Sequence, residues 1–215
     1  MPLELVIFDN DGVLVDSERL ANGVLAAVLT EMGAPTTVQQ SIDRYMGGTM
    51  GRVRQLVLAD GVVLPDDFDD VYHRRVFAAF ERELSTVPGV VSVLDALEAS
   101  AVATCVASSG THERIELAHR VTGLTGRFEG RVFSAEDVAH GKPAPDLFLH
   151  AAAGCGVDPS VCVVVEDSPL GVEAARAAGM RVLGFAAMTP ATRLGHTDAV
   201  FASMAELPGL LDDLS

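Results

Sequence analysis

Short apolar, largely β-branched runs recur along the chain at Leu5 to Phe8, Val102 to Val106, Arg131 to Phe133, Val161 to Val165 and Arg181 to Phe185, with helix-like segments between them. That alternation admits few folds. A strand that returns through a helix comes back parallel, and a parallel strand is covered on both faces, so it reads as a continuous apolar run. The predicted fold is α/β: a three-layer core with a Rossmann-like parallel sheet between helices. One interval breaks the rhythm. About 90 residues separate the first two runs, far more than a single crossover needs, so the interval should hold an inserted helical subdomain. Ser17 to Met32 reads as a helix, with Leu20, Val24, Ala27, Val28 and Leu29 on one side and Gly33 and Pro35 closing it. Amphipathic pieces follow at Gln39 to Tyr45, Met50 to Asp60 and Asp66 to Leu84, and Pro88-Gly89 marks the return to the core ahead of a helix from Val90 to Glu98. The expected division is a core of residues 1–16 and 87–215 and a helical insert of residues 17–86.

With 215 residues, the chain is long enough to bury a substantial core, and 49% hydrophobic against 21% charged residues describe a globular protein. Lys and Arg number 15 against 30 Asp and Glu, a net charge of −15 that argues against nucleic acid or an anionic membrane as partner. The same charge repels an anionic substrate, so any phosphate site needs a local cation, a lysine or helix N-termini. Cys105, Cys155 and Cys162 lack metal-ligand spacing, and two of them lie in strand-like apolar runs. The first apolar stretch has no basic segment before it and is cut by Asp9 and Asp11, and no stretch reaches about 18 uninterrupted apolar residues. A cytoplasmic protein without a membrane segment is expected, with a monomer as the default.

In an open parallel sheet, ligands bind beyond the carboxyl ends of the strands, and four polar clusters fall there. Asp9 and Asp11 follow Leu5 to Phe8, and Gly12 lets the chain turn. Alternation along a strand would place both carboxylates on one side, with Asn10 opposite. Ser108-Ser109-Gly110 precedes a helix starting near Thr111, which suits either a phosphate cradle or a plain N-cap. Lys142 stands in Gly141-Lys142-Pro143-Ala144-Pro145-Asp146, where proline restricts the residue before it to extended geometry. Glu166-Asp167-Ser168-Pro169 follows Val161 to Val165. Ser168 and Pro169 are natural first residues of a helix, while two adjacent acids at a buried strand end suit a hard cation with oxygen ligands.

Together these segments resemble the haloacid dehalogenase superfamily, in the branch containing sugar-phosphate phosphatases and β-phosphoglucomutase. The resemblance rests on Phe8-Asp9-Asn10-Asp11-Gly12-Val13-Leu14-Val15-Asp16-Ser17-Glu18, on Ala107-Ser108-Ser109, on Lys142-Pro143-Ala144-Pro145-Asp146, and on Glu166-Asp167-Ser168-Pro169-Leu170-Gly171-Val172-Glu173-Ala174-Ala175, in the family's order. It implies that the insert is a helical cap and that Asp9 is a nucleophile forming an aspartyl-phosphate. Asp11 would protonate the leaving oxygen and then activate water, and Ser108, Ser109 and Lys142 would hold the phosphoryl oxygens. Magnesium would be bound by Asp9, the Asp11 carbonyl, Asp167 and Glu166, the last directly or through water. The implied reaction is hydrolysis of small soluble phosphate monoesters such as sugar or sugar-acid phosphates, with 6-phosphogluconate as a candidate.

Two departures stand out. Position 10 is more often apolar in the family, and Asn10 could reach a neighbouring polar group. In the mutase cap a Gly-x-Ser is followed by an arginine for the distal phosphate, whereas here Gly47-Gly48-Thr49 is followed by Met50, with Arg52 and Arg54 nearby. A hexose-phosphate mutase is thus the second expectation, with Thr49 and Arg52 as substrate-facing cap candidates. A receiver-like signalling module combines similar residues, but its lysine comes last in order, and it lacks a helical insert.

Overall fold

The computed structural model describes residues 3–45 and 50–214. Six strands, β1 (Leu5–Phe8), β2 (Ala103–Ser108), β3 (Val132–Ser134), β4 (Cys162–Glu166), β5 (Arg181–Phe185) and β6 (Ala199–Phe201), form one sheet in the order β3-β2-β1-β4-β5-β6. Every pairing is parallel. The chain divides into two compact units, Met1–Val15 with Ser85–Ser215, and Asp16–Leu84.

In the sheet unit, all four β1 residues are buried, as are the five of β4, because neighbouring strands lie on both sides and helices cover both faces. Leu5 and Ile7 join Cys105, Ala107, Cys162 and Val164 in a core closed by α7 (Asp146–Cys155) and α8 (Pro169–Ala177). The alternate residues Val6 and Phe8 are equally buried. Two further helices, α5 (Val90–Ala99) and α6 (His112–Thr122), flank β2 in sequence, and α9 (Leu207–Asp213) packs on α5. The three cysteines are free thiols, Cys105 and Cys162 fully buried as small apolar residues.

The order places the topological switch point at β1, whose neighbours β2 and β4 are reached in opposite directions along the sheet, the place beyond the carboxyl ends where open parallel sheets bind ligands. The clusters after β1, β2 and β4 therefore converge there. Three strands run further than the apolar pattern suggests. Ser108 pairs with Ser134 and Glu166 with Gly184, so polar residues are themselves the last members of β2, β3 and β4. Conversely, β1 stops at Phe8, and the Asn10 carbonyl accepts from Leu14 and Val15 N–H as the chain turns through Gly12 at φ +80°. Strand alternation thus does not decide where the Asp9 and Asp11 side chains point. The three-residue β6 is absent from the sequence reading, being too short to leave a pattern.

The helical unit contains α1 (Ser17–Glu31), α2 (Val38–Tyr45), α3 (Met50–Ala59) and α4 (Phe68–Glu83), with α1 packed against α2 and α4. A buried pair, Ser41 Oγ donating to Asn22 Oδ1 at 2.9 Å, ties α1 to α2. Arg54 is bound up inside the same unit, donating to Asp69 Oδ1 and to the Pro65 and Asp66 carbonyls at 3.1 Å each. Among the described residues, no helix is long and apolar enough to cross a membrane.

Candidate active site

Lys142 is the hub of the strand-end clusters. Its ammonium donates to Asp9 Oδ1 at 2.8 Å, to Glu166 Oε1 at 2.5 Å and to the Ala107 carbonyl at 3.1 Å, and its side chain is only 4% exposed. The stem runs over the buried Phe148 ring, with Nζ 4.9 Å from the ring centroid, a cation–π contact that favours the charged form. Burial opposes a charge on Lys142, but attraction to Asp9 and Glu166 outweighs it and holds the ammonium above the ordinary lysine range. Removal from water dominates at Asp9 and pushes its carboxyl up to about 7, with Lys142 pulling the other way and Glu166 adding to the rise. The two shifts have one origin: more carboxylate than ammonium in a dry place.

Ser168 fixes Glu166 from the other side. Its backbone N–H and its hydroxyl both donate to Glu166 Oε2 at 2.9 Å, while its Oγ accepts from Gly171 N–H as the cap of α8, followed by Pro169 in the first turn. Gly171 has to be glycine, since a Cβ there would lie 1.8 Å from Glu166 Oε1. Gly12 is constrained likewise, as its Cβ would fall 2.1 Å from Asp167 Oδ2. The loop after β1 and the acids after β4 are thus packed backbone against carboxylate.

Asp9, Glu166 and Asp167, all buried, each offer an oxygen within 4.8 Å of the others. Three hard carboxylate donors at that separation fit a small oxygen-seeking dication with metal–oxygen distances of about 2.0–2.1 Å. One ammonium serves these three carboxyls, and a dication would supply further positive charge. Both oxygens of Glu166 already accept hydrogen bonds.

Ser108 is 1% exposed, and its Oγ accepts from Gly110 N–H at 3.0 Å. It does not cap the following helix. That role falls to Thr111, which accepts from Arg114 N–H, so the Ser108 hydroxyl stays at the strand end beside the Lys142-bearing loop. Ser109 is exposed. The buried Ser134 steadies this loop by donating to the Gly110 carbonyl at 2.7 Å, and Asp137 closes the bracket onto Ser134 N–H and His112.

Two residues here escaped the sequence reading. Arg114 Nη2 lies 2.7 Å and Nε 3.3 Å from Asp11 Oδ1. His119, 3% exposed, places Nε2 3.0 Å from Asn10 Oδ1, so the unusual Asn10 does reach a polar neighbour. Of the cap candidates, Arg52 is an exposed residue of α3, and Thr49 lies outside the described residues.

Comparison with known proteins fits this geometry. The model of the haloacid dehalogenase-like hydrolases matches residues 3–179. The chain is 29% identical to the 6-phosphogluconate phosphatase of Escherichia coli (strain K12), covering 97% of this chain and 94% of that one. It is 34% identical to hexitol phosphatase A of the same organism, over 94% and 91%. A solved haloacid dehalogenase-like protein of unknown function from Agrobacterium tumefaciens superposes with a TM-score of 0.91 at 35% identity, covering 99% of each chain.

Proposed function

Because this chain belongs to the haloacid dehalogenase-like hydrolases and is a phosphatase of their sugar-phosphate branch, we propose that it hydrolyses small sugar or sugar-acid phosphates with magnesium through a phosphoryl group carried on Asp9. The observation that carries this reading is Lys142 joined to Asp9 and Glu166 at the switch point, a buried cation beside a buried carboxylate where a phosphoryl group would arrive. Phosphoryl transfer needs placement and charge neutralisation more than covalent chemistry, and this chain has one buried lysine for it.

In the first step an Asp9 carboxylate oxygen attacks phosphorus as the bond to the leaving oxygen breaks, and the Asp11 carboxyl gives its proton to that oxygen. In the second, water attacks the same phosphorus, its proton passes to Asp11, and the Asp9–phosphorus bond breaks, returning both carboxyls to their starting forms. Lys142 and the Ser108 hydroxyl with its loop amides would hold the phosphoryl oxygens, Ser109 adding only its backbone. Asp9, Asp167, the Asp11 carbonyl and Glu166 would hold magnesium, Glu166 through water because its oxygens are engaged. Magnesium, when bound, neutralises charge on the transferring group.

Choice of leaving group is assigned to the helical unit, with Arg52 the candidate there; Arg54 serves that unit's own structure. 6-Phosphogluconate is the first substrate to try, given the similarity to an enzyme of that name. The test is a panel of sugar, sugar-acid and polyol phosphates assayed for inorganic phosphate. Release should require magnesium and vanish in Asp9→Asn. Full activity in excess chelator, or in Asp9→Asn, would refute the reading.

A further inference from the structure

One helix grips two successive residues of the Asp9-Asn10-Asp11 segment. At the start of α6, Arg114 uses its backbone N–H on the Thr111 cap and sends its side chain back to Asp11, where Nη2 and Nε both point at Oδ1, at 2.7 and 3.3 Å. Five residues on, His119 lies under the segment against the Phe128 ring, centroids 5.5 Å apart, and meets Asn10. Neither side chain is within hydrogen-bonding reach of Asp9, which belongs to Lys142.

The Asn10 carboxamide has one sensible orientation. Its Oδ1 faces His119 Nε2 at 3.0 Å, and its Nδ2 faces Asp11 Oδ2 at 3.5 Å. Turned over, it would set its oxygen against the Asp11 carboxylate, so the amine edge belongs there and His119 carries its proton on Nε2. Burial keeps the imidazole neutral, pushing it down to about 4. At 3.5 Å the Asn10 contact is an oriented dipole more than a strong bond, and the guanidinium supplies the strong one. Both Asp11 oxygens thus face donors, the arrangement of the ionised carboxyl; a proton taken up on Oδ2 replaces the weak Asn10 contact and leaves Oδ1 on the guanidinium. The packing is close: a Cβ on Gly110 would lie 3.3 Å from Ser108 Oγ, 3.4 Å from Arg114 Cδ and 3.6 Å from Asp11 Oδ2.

We propose that Arg114, with the Asn10–His119 pair behind it, positions the Asp11 carboxyl so that one side chain serves both proton transfers of the phosphatase cycle. The proposal rests on the phosphatase reading above. In that cycle the leaving oxygen and the attacking water occupy the same side of phosphorus in turn, so a carboxyl that rotates away fails at both. Displacing a reacting group by about 1 Å costs on the order of 100-fold in rate, which sets the expected scale.

Leaving-group dependence separates positioning from mere structural support. p-Nitrophenolate departs without a proton, whereas an alkoxide requires one. With magnesium present, Arg114→Met should lower kcat on an alkyl phosphate roughly 100-fold with KM within about 3-fold. On p-nitrophenyl phosphate the same variant should give a rapid burst of p-nitrophenolate equal to the enzyme present, then slow turnover, because phosphorylation of Asp9 survives and attack by water does not. Asn10→Leu should show the same pattern at roughly 10-fold, and Arg114→Lys should recover part of the loss. These milder variants, checked for a wild-type melting transition, also cover the case in which Arg114→Met does not fold. Variants that keep the wild-type ratio of the two rates and show no burst, whether active or uniformly impaired, would overturn the proposal alone. A wild-type protein that hydrolyses neither ester would overturn the phosphatase reading, and this proposal with it.

Discussion

Gly171→Ala adds a single methyl group in the first turns of α8 and should disable the site from behind. On an exposed helix the change would stabilise by about 1 kcal/mol, because alanine forms helix better than glycine. Here the new Cβ would lie 1.8 Å from Glu166 Oε1 and 2.4 Å from Oε2, and ordinary contact begins near 3.4 Å, so the carboxylate has to retreat by 3.4 minus 1.8, or 1.6 Å. A shift of that size breaks the bond to Lys142 at 2.5 Å or those from Ser168 at 2.9 Å. Losing a charge-assisted hydrogen bond costs about 1.5–3 kcal/mol and overpacking about 1–3 kcal/mol, so with the helix gain subtracted the net loss should be about 1.5–5 kcal/mol. At about 2–4 °C per kcal/mol for a chain of this size, the melting temperature should fall by roughly 3–20 °C. Thermal unfolding reads the first effect; phosphate release against magnesium concentration reads the second, which should shift to higher magnesium. Gly209→Ala is the control, since nothing lies within 4 Å of a Cβ there. If Gly171→Ala melts with the wild type and keeps its magnesium response, the reasoning from Glu166 packing is wrong.

Lys142→Met should leave two buried carboxylates facing one another and cost about 3–5 kcal/mol in metal-free protein, measured by denaturant unfolding at pH 8, with added magnesium restoring part of it. Asp9, raised to about 7 chiefly by burial, takes up a proton on folding, so its contribution to stability is fully present below its unfolded value of 3.8 and is lost as pH rises through about 7. Without metal, Asp9→Asn should therefore gain stability relative to wild type by on the order of 1 kcal/mol per pH unit across that window, and a difference that is flat with pH would count against it. With β-glucose 1-phosphate and a trace of the 1,6-bisphosphate, inorganic phosphate should exceed glucose 6-phosphate, because Met50 cannot grip a distal phosphate and Arg54 is engaged by Asp69. Accumulation of glucose 6-phosphate many times faster than phosphate would make the mutase assignment correct.

The strands were legible in the sequence wherever burial on both faces forced a continuous apolar run, as at Leu5–Phe8 and through Val163, Val164 and Val165 of β4. Legibility failed where a strand's last residue is polar, because Ser108 and Glu166 complete β2 and β4 as sheet members and site residues at once. The catalytic candidates could be read because each stands at or beyond the end of a strand, and parallel topology brings strand ends together whatever the intervening sequence. Arg114 and His119 follow no such rule. They reach the site sideways from a helix, and an arginine three residues after a cap looks like any solvated charge until Asp11 is seen opposite. Asn10 was the one visible clue, a carboxamide at a position more often apolar in the family, and its full burial demands the partner it has in His119.

The measurement that bears most directly on the account is mass analysis of the peptide containing Asp9 after acid quench of the enzyme turning over a phosphate ester with magnesium. The account predicts the mass of one phosphoryl group on that peptide, localised to Asp9, formed and lost at rates compatible with turnover and absent in Asp9→Asn. Steady release of inorganic phosphate with no such adduct, or an adduct on another residue, would contradict it.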